Sequence, residues 1–300
     1  MAAVCDKRLV LITGERMAIV LFDGIAYGML LFLIGVGLSV TMGLMRFVNL
    51  SHGVFAMAGG YLGVMTLNGT QSYWLSLLIA ALGSGLLGWV LERYLFKYFY
   101  KRHPLDQVLV SLGVVFVAIA AVTYLFGPGI QSFSPPSGLR GQVKLFGMGV
   151  GAYRLFLIVV GVAVFVFLSF LIRKTLYGAM IRAAVDDQKI AQGLGMNVSL
   201  LFSATFAFGC ALAGFGGALS LGVLALEPTF PIKYLVFFLM VVCVGGAGTI
   251  SGPFIAAMVV GIIDVAGKYY FPTLGSFLIY LVMILLLLWK PDGLVTLKRK

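Results

Sequence analysis

The chain has 300 residues, 61% of them hydrophobic and 10% charged, with a mean hydropathy of +1.09 and a formal charge of +11. That balance excludes a soluble domain and marks an integral membrane protein, a single transmembrane domain over residues 1–300. The positive charge does not point to nucleic acid. Its residues gather in short stretches between apolar runs, as in Lys97, Lys101 and Arg102, in Arg173 and Lys174, and in Lys298, Arg299 and Lys300; that is how charge is placed for membrane orientation, and Tyr98, Phe99 and Tyr100, confined to the first stretch, do not make the aromatic-basic pattern of a nucleic-acid binder.

Residues 1–20 read as a short interfacial segment, since Leu9 to Thr13 is too short for a signal-peptide core and Gly14-Glu15-Arg16 interrupts it. Gly24 to Met45 is the first charge-free run and predicts a spanning helix, with small residues at Gly24, Gly28, Gly35, Ser39 and Gly43 that let a neighbour approach closely. Asp23 belongs at its interfacial edge. Arg46 to Gly53 then forms a polar, glycine-ended break before the apolar Val54 to Leu67, either an ordinary turn or a broken helix facing a cavity.

Asn68 to Leu91 is the next run, closed by Glu92-Arg93. Gly83-Ser84-Gly85-Leu86-Leu87-Gly88 inside it satisfies a dinucleotide fingerprint, but that motif needs a soluble strand before it, so these glycines are expected to serve helix packing. The basic stretch from Glu92 to Asp106 belongs in the cytoplasm. Val108 to Phe126 crosses back, and Gly127 to Tyr153 reads as an irregular loop on the opposite face.

Between the spans Leu155 to Ile172 and Leu200 to Leu226 lies a polar segment, 173–199, large enough to hold a helix of its own. Met180, Ala183, Ala184, Ala191 and Leu194 fall near one face and Arg182, Asp186 and Lys189 away from it, with Gly193 and Gly195 as the stop. Such a segment packs on its own bundle or receives another protein. Two small-residue ridges, Gly209 to Ala213 to Gly217 and Gly214 to Ala218 to Gly222, predict that the following span is buried on two sides. Leu235 to Ile263 is broken at Gly245 to Pro253, where four glycines and a proline cannot continue a regular helix. Phe271 to Trp289 is the last span. The count is eight, or nine with two short ones, in an all-α polytopic bundle with two broken-helix or re-entrant segments.

Cys5, Cys210 and Cys243 lack metal-ligand spacing, two histidines do not make a histidine-rich site, and no cofactor or metal is expected. No phosphate-binding G-x-x-x-x-G-K-[ST] occurs, so any use of ATP falls to a partner. An acid, histidine and nucleophile constellation for catalysis is also lacking.

Five segments in order resemble one family. Tyr177-Gly178-Ala179-Met180-Ile181-Arg182-Ala183, then Ala191 and Leu194-Gly195-Met196-Asn197, is similar to the cytoplasmic loop of the permease subunits of bacterial branched-chain amino acid ABC importers. Asn49-Leu50-Ser51-His52-Gly53 matches the family's N-F-A-H-G-E at Asn49, His52 and Gly53, while Val54 stands where an acid is usual. Glu92, Arg93 and Pro104 echo its basic loop, Gly245 to Gly252 its G-G-x-G-[ST]-x-x-G, and Pro291-Asp292-Gly293-Leu294 its closing P-x-G-L.

The resemblance covers about residues 20–295 and implies a complex in the bacterial inner membrane. Its parts are two ABC ATPase subunits, a second permease that is a sister or identical chain, and a periplasmic substrate-binding protein, with membrane lipid around them. It implies ATPase coupling through Tyr177, Gly178, Arg182, Ala183, Ala191 and Gly195. It also implies a translocation pathway at Asn49, Ser51, His52, Gly53, Gly246, Gly248, Thr249 and Ser251, and no enzymatic activity in this chain. Urea, short amides or aromatic acids are alternative cargoes for the same architecture. A stand-alone ion-coupled carrier is a further rival, disfavoured because Asp23 and Asp264 sit only at the ends of runs.

Overall fold

The computed structural model describes residues 2–45, 47, 49–100, 102–131, 133, 135–145, 148–246, 248–290, 293 and 294. Lys101, Pro291, Asp292, Lys298, Arg299 and Lys300, which enter the charge and closing-motif readings, lie outside them, as does the side chain of Cys5.

Among the described residues six helical stretches are long and apolar enough to cross a membrane. They are Arg16–Gly43 within α1 (Ala2–Met45), then α3 (Tyr73–Tyr94), α4 (Pro104–Phe126), α5 (Ala152–Lys174), α8 (Val198–Ser220) and α11 (Ser251–Tyr270). Shorter elements complete the bundle: α2 (His52–Thr70), α6 (Leu176–Asp186), α7 (Gln188–Gly193), α9 (Phe230–Lys233), α10 (Leu235–Gly245) and α12 (Gly275–Trp289). The helices form because, within the bilayer, backbone groups have no water to pair with and must bond within the segment. The all-α polytopic reading therefore holds. One small exception is a hairpin of β1 (Gln142–Leu145) and β2 (Met148–Gly151), antiparallel, inside the stretch expected to be irregular.

α1 and α8 make the core. Leu30 to Ile34 of α1 are fully buried, and fifteen residues of α8 are buried against α1, α2 and α3. The small residues are the reason: Gly37 of α1 meets the backbone of Gly209, and a β-carbon on Gly217 would collide with the Ala56 carbonyl of α2. Gly85 and Gly88, from the discarded fingerprint, likewise seat α3 on Ala211 and Cys210 of α8. On its other side α3 turns Trp74, Leu78, Leu82 and Leu86 outward, an apolar face suited to lipid.

Side-chain pairings fix the helix directions. Asp23 pairs with Arg154, Phe32 with Phe165 at 6.1 Å, and Gly37 lines a crevice with Leu168 and Ile172, so α1 and α5 run parallel. Gly24 meets Ile262 and Gly28 meets Ala257, so α11 runs against α1. One end of the bundle thus gathers the ends of α1, α3 and α5, together with α6, α7 and the α10–α11 turn; it is the loop end. Asp23, Arg154 and the end of α11 mark the far end. The run Leu200 to Leu226 is not one helix: α8 stops at Ser220, and Leu226 forms a bridge to Gln131. The break in Leu235 to Ile263 is real, and its helices reach beyond that run, from Phe230 through α9 and α10 and on through α11 to Tyr270.

Candidate coupling loop and broken-helix site

The 173–199 segment folds back on the helix that delivers it. Thr175 ends α5 and caps α6, accepting from the Gly178 N–H at 3.2 Å and donating to the Leu171 carbonyl at 2.5 Å. Gly178 lies so close to the Ile172 carbonyl that no β-carbon fits. The Arg182 guanidinium donates to that same carbonyl. A cation there meets an unpaired carbonyl and the negative end of the α5 dipole together. The Tyr177 hydroxyl shares a hydrogen bond of 2.7 Å with Thr205 Oγ1 of α8. Burial pushes the Tyr177 phenol above its ordinary range, against the opposing effect of that hydrogen bond.

The expected single amphipathic face requires correction. Asp187 interrupts the helix, its carboxylate accepting from the N–H groups of Lys189 at 2.8 Å and Ile190 at 3.0 Å to start α7. Across that break helical spacing no longer predicts a common face. Ile181, Ala184 and Ala191 are buried, whereas Met180 and Leu194, expected beside them, are exposed at 38% and 75%. Leu176 and Ile190 are exposed as well, and Ala183 is half-buried. Gly195 closes the segment in the left-handed region, φ +83°, in open space. Tyr177, Gly178, Arg182 and Ala191 thus brace the loop, and Leu176, Met180, Ile190 and Leu194 are its uncovered apolar surface.

The first helix break sits deep in the bundle. Phe47 is held between Phe96 at 5.3 Å and Tyr100 at 5.4 Å near the loop end, and Asn49, Leu50 and Ser51 lead without helix into His52. His52 Nε2–H donates to the Ile34 carbonyl of α1 at 2.8 Å. Asn49 Oδ1 accepts from Ser51 N–H at 3.0 Å and Ser51 Oγ at 2.5 Å, while the buried Asn49 Nδ2 has no partner. Gly53 places α2 against Pro231 and Phe238. Asn49, Ser51, His52 and Gly53 are all buried.

The second break is a tight turn at the loop end. Gly246 and Gly248 have φ of +93° and +83°, and Gly252 packs on the Gly245 carbonyl where no side chain fits. Ser39 of α1 fastens the turn: its hydroxyl donates toward the Thr249 carbonyl at 3.1 Å and the Gly246 carbonyl at 3.4 Å, and its carbonyl accepts from Gly248 at 3.0 Å. Thr249 Oγ1 donates to the Gly246 carbonyl at 3.2 Å, and Arg173 reaches Ser251 Oγ at 3.4 Å. Leu294 N–H, from the closing motif, donates to the Val244 carbonyl at 2.7 Å. The two breaks share α1, through Ile34 and Ser39, but stand at different depths along it.

Sequence reasoning missed Glu92. Read as the end of a span, it is buried, accepting from Tyr100 at 2.8 Å and from Ser203 of α8. Ser203 lies two residues from Thr205, which holds Tyr177. Tyr100 packs on Phe47. The buried carboxylate therefore joins the helix that carries the loop contact to the start of the first break. A charge next to Arg93 at the end of an apolar run gave no sign of burial.

Interrupted helices fastened to a buried central helix, with a braced polar loop at one end, define a multi-pass helical membrane protein. The model of the family "Branched-chain amino acid transport system / permease component" matches residues 20–287, and the chain belongs to that family. It is 24% identical to the high-affinity branched-chain amino acid transport system permease protein LivH of Salmonella typhimurium, over 92% of this chain and 94% of that one. It is 23% identical to the corresponding permease BraD of Pseudomonas aeruginosa, with the same coverage, and 26% identical to a probable branched-chain amino acid transport permease LivH of Methanocaldococcus jannaschii, over 94% and 92%. No solved structure matches the chain.

Proposed function

We propose that the chain is the permease subunit of an ABC importer for branched-chain or related hydrophobic amino acids in the bacterial cytoplasmic membrane. Two ATPases, a second permease and a periplasmic substrate-binding protein complete the complex. The observation that carries this reading is the loop itself: Leu176, Met180, Ile190 and Leu194 lie uncovered on a segment that Gly178, Arg182 and Tyr177 tie to two long helices. Four exposed large apolar side chains within one charged segment favour a protein partner. Lys97, Arg102, Arg173, Lys174, Lys189 and Lys290, against Arg140, Lys144 and Arg154 toward the other end, support a cytoplasmic side for the loop by the positive-inside rule.

ATP-driven closure of the ATPases displaces α6 and α7. The Arg182 and Gly178 contacts carry the displacement to the end of α5, Tyr177 carries it to α8, and Arg173 bears on the start of α11. The glycine turn and the first break absorb the movement. Asn49, Ser51, His52, Gly53, Gly246, Gly248, Thr249 and Ser251 border the route that opens, and the cargo crosses without covalent chemistry.

The test is reconstitution with the ATPases and binding protein in proteoliposomes. ATP-dependent uptake of leucine, isoleucine or valine, with ATPases retained on the tagged chain, is the expected result. Uptake driven by an ion gradient through the chain alone overturns the reading, and uptake confined to urea, amides or aromatic acids overturns its cargo.

A further inference from the structure

A second polar cluster lies toward the far end, between α1, α10 and α11, apart from both helix breaks. Asp264 of α11 has a side chain only 3% exposed. Lys268, one turn on, sets its Nζ 2.6 Å from Asp264 Oδ2 and is 52% exposed. The other oxygen, Oδ1, is buried with no hydrogen-bond partner. The ammonium lies 6.0 Å from the Tyr27 ring and 5.9 Å from the Phe237 ring, and those rings meet edge to face at 6.4 Å.

A half-paired carboxylate is a poor way to hold three helices together. Its desolvation is compensated only when both oxygens find donors, and an apolar side chain would pack α11 against α1 better. The arrangement instead suits a ligand that supplies a second cation to Oδ1 and an anion to Lys268. One ion pair, buried on its Asp264 side, would then be exchanged for two. An amino acid zwitterion has both charges on adjacent groups, and the partly exposed Phe237 ring, backed by the buried Tyr27, offers an apolar edge to an aliphatic side chain.

We propose that Asp264, Lys268, Tyr27 and Phe237 form an outer binding site for aliphatic amino acid zwitterions, Asp264 taking the α-ammonium and Lys268 the α-carboxylate. The site rests on the cargo reading above and adds the place where the substrate is first held by the permease.

The experiment uses the assembled importer: labelled leucine binding in nanodiscs, and uptake in proteoliposomes. Asp264→Asn and Lys268→Gln are each expected to weaken leucine binding about tenfold or more. Asp264→Glu retains most of it, and 4-methylpentanoate, which lacks the ammonium, competes poorly with the wild type. Because Lys268 is half exposed, its variant decides the matter if Asp264→Asn fails to assemble. Leucine uptake with unaltered binding in Lys268→Gln or Asp264→Asn overturns the site and leaves the cargo reading intact. Saturable binding of sodium that leucine does not displace overturns it too. A wild-type importer that carries no branched-chain amino acid overturns the cargo reading and the site together.

Discussion

Single atoms decide the loop's attachment. At Gly178 an added methyl group gains helix propensity but meets the Ile172 carbonyl, which Arg182 also needs. Overpacking costs about 1–3 kcal/mol, more than the propensity returns. Gly178→Ala is therefore expected to lower the melting temperature in detergent and to uncouple ATP hydrolysis from uptake. Gly195→Ala strains a left-handed backbone in open space, and its effect is confined to the α7–α8 connection. At Glu92 the carboxyl group accepts from two hydroxyls in a buried setting, where leaving one donor unsatisfied costs about 1–3 kcal/mol. Glu92→Gln leaves one of those hydroxyls facing an N–H donor. The expected outcome is a measurable loss of thermal stability. A double-mutant cycle with Thr205→Val, read in ATP-driven uptake, is expected to give non-additive effects if Glu92 and the loop act through α8.

Elements meet through surfaces, and the loop's outward surface is the one to perturb. Ile190 and Leu194 are exposed at 64% and 75%, so exchanging them for glutamate removes no internal packing. Ile190→Glu with Leu194→Glu is expected to leave the melting temperature of the isolated chain unchanged while abolishing co-purification of ATPases. A matching loss of stability would mean that these side chains pack on the permease itself. The glycine turn is the opposite case. Gly252 is pressed on Gly245 between α10 and α11, and Gly252→Ala is expected to destabilise the helix pair rather than merely slow transport; thermal unfolding distinguishes the two.

At the scale of the whole molecule the bundle is polar about its two ends. The loop end bears Arg93, Lys97, Arg102, Arg173, Lys174, Arg182 and Lys189, and the far end bears Arg140 and Lys144 with the Asp23–Arg154, Glu227–Lys233 and Asp264–Lys268 pairs. Cysteines introduced at Leu194 and Val143, both exposed, are expected to react with an impermeant maleimide from opposite sides of the membrane. Labelling of both from one side would overturn the separation of the two ends, and labelling of the Leu194 position from outside would overturn the orientation. Of the native thiols, Cys210 is buried beneath Gly88 and is expected to stay unlabelled.

Composition and run length by themselves determined the membrane class, the bundle and the segments that interrupt it, because the bilayer admits only long apolar helices and makes each break conspicuous. Glycine spacing determined that α8 is buried, since close backbone approach needs small residues wherever it occurs. Motif order pointed to the permease family. Tertiary structure alone decided which side of the loop is free, for Asp187 resets the helical phase that the spacing of Met180 and Leu194 assumed. It alone decided depth. Asn49 to Gly53 and Gly246 to Ser251 look alike as polar, glycine-marked breaks, yet one meets α1 at Ile34 in mid-bundle and the other at Ser39 near the loop end. Burial of Glu92 and the half-paired state of Asp264 depend on which helices surround them, and a charge at the end of an apolar run has the same sequence signature whether water or another helix lies beside it.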